Sequence, residues 1–188
     1  RLVTHVHETD RQRAEDQLSR LCILARENEL GVGLEFTGFA AGCNSLGRAA
    51  ALHDRINQPN LTIAIDALHL FRTGGTLEQV QAIDPAIIGY AQLCDGPDYR
   101  LSDNYLGEAM NRMVPGEGVF PLRDFVALLG PHVDIDIEVP NSAQPTGTEA
   151  KTWAQRAIAA SRDLFARATC NDPGRPVVRA RISDRSVR

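Results

Sequence analysis

Leu61-Thr-Ile-Ala-Ile-Asp66 is the stretch whose reading decides the fold. It is a short apolar run closed by an acid, with Asn57-Gln-Pro-Asn60 before it and Ala67-Leu-His69 after it. A strand that is apolar nearly throughout is covered on both faces, as in a parallel sheet layered with helices. The same grammar repeats outward. Towards the N-terminus, Gly31–Phe36 reads as a second buried strand. A helix precedes it, capped by Thr9 or Asp10, apolar at Leu18, Leu21, Cys22, Leu24 and Ala25, and stopped near Leu30 by Gly31. Arg1–Val6 reads as a strand before that helix. Asn44 or Ser45 opens another helix through Ile56.

Towards the C-terminus, Thr76 caps a helix to about Ile83, and Ile87–Cys94 forms a strand. Pro121–Leu129 is a helix, Val133–Val139 a strand carrying three acids, and Gly147–Ala168 the last helix. Strands alternating with helices imply βαβ units and a parallel α/β sheet. The polar excursion from Asp95 to about Gly118 is long for a connector and is expected to carry function. Residues 1–170 read as one domain, and the Arg-rich stretch 171–188 as a polar C-terminal tail.

Composition narrows the function. The chain has 188 residues, 43% of them hydrophobic, enough for one sizeable core. A net charge of −4 and a pI of about 5.7 supply no field to attract nucleic acid or an anionic membrane. No apolar run approaches the ~20 residues that span a bilayer. Cys22, Cys43, Cys94 and Cys170 lack CxxC spacing and are expected to be free thiols in a reducing, cytoplasmic compartment. There is no GxGxxG or GxxxxGK[ST] phosphate loop.

Parallel α/β folds build their sites at the C-terminal ends of strands. Four successive strands here end in an oxygen donor: Glu35, Asp66, Gln92 and Glu138. Burying one isolated carboxylate is costly, so convergent acids are expected to share a cation or protons. Three acids and an amide suit Mg²⁺ or Mn²⁺ better than a thiolate-seeking metal. A single strand-end acid is more often a helix cap or ion pair; four in register are harder to explain that way.

These residues carry a family resemblance. Asp66-Ala-Leu-His69 with Arg72-Thr-Gly74 resembles the Asp-x-x-His motif of xylose isomerase-like sugar phosphate isomerases and epimerases. Gln92-Leu-Cys-Asp95 resembles the next strand's His/Gln-x-x-Asp. Arg112-Met-Val-Pro-Gly-Glu-Gly118 resembles the Arg-x-x-Pro-Gly-Glu-Gly loop, and Asp136-Ile-Glu138 the final-strand glutamate. Order and spacing agree from about Arg1 to Ala168. Most members carry His where this chain has Gln92; hydroxypyruvate isomerase and some 3-dehydroshikimate dehydratases are similar in using Gln there.

The resemblance implies a (β/α)8 TIM barrel. A full barrel needs ~250 residues, so this chain is expected to form a partial barrel of about the fourth to eighth strands, with exposed strand edges that favour self-association into a homo-oligomer. It also implies that Glu35, Asp66, Gln92 and Glu138 hold one divalent cation (Mn, Mg or Co). Glu35 and Glu138 would act as acid and base, His69 and Arg112 would contact the substrate's oxygens, and Asp95 would orient a neighbouring loop or ligand. The activity implied is isomerisation or epimerisation of a sugar or hydroxy acid through an enediolate. The alternatives are dehydration of an inosose or 3-dehydroshikimate, or an inactive fragment. Apurinic-site endonucleases share the fold, but their larger ligand set and basic surface are not visible here.

Outside this set, His53 and His132 are expected on helix and loop surface, Trp153 and Cys94 in packing. His5 and His7 could equally line the pocket from the preceding strand or lie exposed, and they receive no role.

Overall fold

The computed structural model describes residues 1–141 and 148–169. Among them the element order is β1 (Leu2–Thr4), α1 (Arg11–Glu27), β2 (Val32–Glu35), α2 (Leu46–Ile56), β3 (Leu61–Asp66), α3 (Ala67–Arg72) and α4 (Leu77–Gln81). Then follow β4 (Ile88–Leu93), α5 (Tyr105–Ala109), α6 (Leu122–Leu128), β5 (Asp134–Ile137) and α7 (Thr148–Thr169). The five strands are all parallel and lie in chain order, β1-β2-β3-β4-β5. Cys170 and the expected tail 171–188 lie outside the described residues.

The sheet is curled. Flat, its outer strands would lie about 19 Å apart at ~4.8 Å per step, far beyond a side chain's reach. Yet Arg1, beside β1, places Nη2 3.2 Å from Asp134 Oδ2 on β5 and its guanidinium 5.3 Å from the Tyr90 ring centroid on β4. The five strands thus form a curled half-barrel, consistent with a partial TIM barrel.

Alternation along the strands gives the two faces different work. Val32, Leu34, Ile63, Ile65 and Leu93 join Leu18, Cys22 and Ala49 of the helices in one core cluster. Glu35, Asp66, Gln92 and Glu138 belong to the other, concave face, where Asp66 pairs with Gln92 across β3 and β4. β5 alternates exposed and half-buried residues because Asp134 and Asp136 look into the open concavity.

Three elements differ from the sequence reading. Helix α1 ends at Glu27, before Gly31. Its stop is a Schellman turn: Glu29 takes the left-handed conformation (φ 58°), Leu30 N donates to Ala25 O and Glu29 N to Arg26 O. Helix α3 was not expected; Asp66 caps it by accepting from His69 N at 3.0 Å. Helix α5 forms a single turn inside the 95–118 excursion. His53, expected on the surface, is half-buried, with its Nε2 3.2 Å from Leu61 O. Cys22, Cys43 and Cys94 are buried free thiols, and no described helix is long and apolar enough to cross a membrane.

Phe125 of α6 is fully buried and meets Phe71 of α3 edge-on at 6.1 Å. Replacing a buried Phe by Ala loses transfer energy and leaves a cavity. We expect Phe125→Ala to lower unfolding stability by roughly 3–5 kcal/mol in urea titration. An unchanged midpoint would mean that this helix layer is not part of the cooperative core.

Candidate active site

Each strand end delivers one side chain to the concave rim. Glu35, Asp66 and Glu138 each place one carboxylate oxygen within 4.8 Å of the others. Glu35 and Asp66 are buried, while the Glu138 side chain keeps 40% exposure. Gln92 donates from Nε2 to Glu138 Oε2 at 2.6 Å. Its Oε1 is buried without a hydrogen-bond partner, a costly state for an amide oxygen unless a ligand meets it. The four residues singled out in the sequence are therefore brought together.

Arg112 neutralises part of this charge. Its Nη1 donates to Asp66 Oδ2 at 2.5 Å and to Glu138 Oε2 at 3.0 Å, while Nε donates to Ala109 O at 2.9 Å. Burial opposes the guanidinium's charge, but Asp66, Cys94 and Glu138 hold its pKa above the ordinary value. Expected to contact substrate, Arg112 is placed among the carboxylates themselves.

The two glutamates sit in different surroundings. Glu35 faces histidines: its Oε1 is 3.6 Å from His69 Nε2 and its Oε2 3.8 Å from His5 Nε2. Burial, then Asp66 and Glu138, push its pKa up to about 8, with Arg112 pulling the other way. Burial also raises Glu138, but Arg112, bonded to it directly, opposes the rise. Burial drives His69 down to about 4, so its ring is neutral near pH 7.

The loops complete the rim. Asp95 binds no site group; its Oδ1 accepts from Gly96 N and Phe120 N, its Oδ2 from Gly116 N. It thereby folds the Pro115-Gly-Glu-Gly118 turn, the orienting role expected for it. Cys94 is buried beside Arg112, and Trp153 of α7 donates to Val139 O. Two contributors were missed, and a third, His5, was weighed without being given a role. His5 follows β1 and reaches Glu35; Phe39 packs edge-on against His5 and His69; Tyr105 bonds His69 Nδ1. Continuing the Val3↔Gly33 register by two residues sets His5 beside Glu35, a signal available in principle. Nothing local marks Phe39 or Tyr105.

Parallel strands, an outer helix layer and acids gathered at the strands' C-terminal ends define a barrel-type α/β protein with an oxygen-donor site. The chain belongs to the xylose isomerase-like TIM barrel family, whose sequence profile matches residues 3–164. No curated protein sequence matches it. Among solved structures it is similar to IolI protein with a binding zinc atom, at 18% identity and TM-score 0.68, over 90% of this chain and 62% of that one. It is similar to a xylose isomerase domain protein from Alicyclobacillus acidocaldarius at 22% identity and TM-score 0.70, over 88% and 64%. D-psicose 3-epimerase in the presence of D-fructose matches at 14% identity and TM-score 0.59, over 89% and 56%. The chain spans less than two thirds of each of these proteins, and at such identities the likeness is one of fold.

The raised Glu35 pKa makes stability depend on pH. Between its ordinary 4.5 and about 8, the folded metal-free protein holds a proton that the unfolded chain has released. Stability therefore falls as pH rises through that window. His69 titrates between about 4 and 6.5, below the upper part of it. We expect urea unfolding in chelator to show stability declining from pH 6.5 to 8, with Glu35→Gln flattening the decline. Equal slopes in both proteins would place the titrating group elsewhere.

Proposed function

We propose that this site belongs to a divalent-metal-dependent isomerase or epimerase of sugars or hydroxy acids, working by proton transfer at the carbon next to a carbonyl. In this reading β1–β5 correspond to about the fourth to eighth strands of the family's barrel. One observation carries it: Glu35, Asp66 and Glu138 converge within 4.8 Å, beside a buried Gln92 Oε1 that has no protein partner. Family membership and the fold shared with D-psicose 3-epimerase support the same class.

The donor set fits a hard cation: three carboxylate oxygens and one amide oxygen would hold it. When bound, Mg²⁺, Mn²⁺ or Co²⁺ supplies Lewis-acid polarisation of the substrate's carbonyl and neighbouring hydroxyl. The chain's own residues do the proton work. Glu35, flanked by neutral imidazoles, and Glu138, flanked by Arg112 and Gln92, have unlike proton affinities, which an acid and a base require. His69 Nε2 stands at the Glu35 carboxylate, where it would bond a substrate oxygen. Arg112, always charged, offsets negative charge that develops on the substrate's oxygens. The partner is a small carbohydrate or hydroxy acid; a net charge of −4 supplies no field for nucleic acid or an anionic membrane.

Chelation should abolish turnover, and Mg²⁺, Mn²⁺ or Co²⁺ should restore it; full activity in the metal-free protein would reject the mechanism. Glu138→Gln removes an acid/base group while leaving most contacts. We expect it to cost about 10²–10⁴-fold in kcat with little change in KM.

Turnover in D₂O separates the two possible fates of the enediolate. An isomerase or epimerase returns carbon-bound deuterium without loss of water. Clean formation of an unsaturated product from an inosose or 3-dehydroshikimate would assign a dehydratase instead.

A further inference from the structure

Helices α3 and α5 meet through two matched pairs, each spaced three residues along its helix. His69 and Arg72 lie on α3, Tyr105 and Glu108 on α5. The Tyr105 hydroxyl bonds His69 Nδ1, and the Arg72 guanidinium forms an ion pair with Glu108. Arg72 is 2% exposed and also donates to Asp98 O at 3.0 Å and to Asp98 Oδ1 at 2.5 Å. Residues three apart share a helix face, so the Arg72 clamp sets the register that brings Tyr105 onto His69.

The phenol oxygen has a second partner. Gly38 N donates to it at 3.4 Å. Gly38 must be glycine for this approach: a Cβ there would stand 2.7 Å from Tyr105 Cε1. With its oxygen accepting from Gly38, Tyr105 has its own proton free, and among the described residues His69 Nδ1 is the acceptor within reach. An imidazole nitrogen that accepts carries no hydrogen, so the other nitrogen must carry it. That other nitrogen, Nε2, faces Glu35 Oε1 at 3.6 Å.

We propose that Tyr105 is a positioning residue that fixes His69 in the Nε2–H tautomer, so that its hydrogen points at Glu35 and the substrate space. The chain of contacts runs from Gly38 N–H through the Tyr105 hydroxyl to His69 Nδ1, and from Nε2–H to Glu35. Without Tyr105, Nδ1 competes for the hydrogen and Nε2 is left as an acceptor, unable to donate to a substrate oxygen. Tyr105 thus acts on the chemistry through the imidazole without touching the reacting atoms. This rests on His69 and Glu35 being site groups as proposed above.

The test reads the tautomer directly. The full chain labelled with ¹⁵N-histidine is observed in chelator by long-range ¹H–¹⁵N correlation at neutral pH, with His69 assigned by its loss in His69→Gln. The wild type should show the Nε2–H form. Tyr105→Phe, which keeps the ring and removes the hydroxyl, should move the tautomer ratio at least about fivefold towards Nδ1–H, the weight of one net hydrogen bond. Gly38→Ala, which displaces the ring from the other side, should do the same with Tyr105 intact.

An Nδ1–H form in the wild type, or an unchanged Nε2–H form in both variants with native far-ultraviolet dichroism, overturns the proposal. Turnover assays stand apart from this readout. Inactivity of the wild type on every sugar with the tautomer as expected would fault the functional reading and leave the positioning intact.

Discussion

Two buried carboxylates and a partly exposed third, each with an oxygen within 4.8 Å of the others, repel one another and lose much of their water, and the fold must offset that charge. Two devices do so. Arg112 sets one guanidinium nitrogen on both Asp66 and Glu138, and Glu35, lacking such a partner, holds a proton to higher pH instead. The metal-free fold therefore carries its countercharge within the chain. A partly paired buried charge would be destabilising by several kcal/mol, about 3–5 when one partner is lost. The position of Arg112 is accordingly held at three points besides the acids. Its Nε donates to Ala109 O, its backbone N donates to Pro140 O, and its neighbour Met113 bridges to Asp95.

That anchoring explains why the long excursion is ordered. Asp95 spends its whole carboxylate on three backbone N–H groups of the loop, and Arg72 reaches Asp98 and Glu108 from the helix layer. Loops without such internal bonds leave backbone groups to water and move. Here an acidic side chain just after β4 and a basic one on α3 replace the missing secondary structure. The excursion supplies the site with Arg112 and Tyr105, one for charge and one for geometry.

Much of this was legible in the sequence. Leu61–Asp66 was legible as a strand because an apolar run closed by an acid has few other uses in a parallel sheet. The convergence of Glu35, Asp66, Gln92 and Glu138 was legible because a parallel sheet gathers its strand ends on one rim, so position itself was a signal. Helix α3 was hidden by the same residue. Asp66 read as a ligand is also the N-cap of Ala67–Arg72, and a six-residue helix shows too little periodicity to announce itself. The end of α1 was misplaced because Glu29 adopts a left-handed conformation usually given to glycine or asparagine, and Gly31 offered the more familiar stop. Tyr105 lies 36 residues from His69. Only tertiary packing joins them, and no local pattern encodes it.

Asp66 shows how a strand-end acid can be cap, ion-pair partner and candidate ligand together. Its Oδ1 accepts from His69 N and its Oδ2 from Arg112. The first bond ties the carboxylate to the start of α3, so that the helix that carries His69 and Arg72 begins at the site itself. The second ties it to the excursion. Fixed at both oxygens, the carboxylate has little rotational freedom left to lose when a ligand arrives, and such preorganisation lowers the cost of binding. Gln92 is fixed differently: its amide nitrogen is bonded to Glu138, which aims the carbonyl oxygen and leaves it without a protein donor. Oriented carboxylates and an oriented, unsatisfied amide oxygen are what a cation site needs before a cation is present. In this chain the bonds that give that orientation are the same ones that hold β3 to α3 and to the excursion, and β4 to the end of β5.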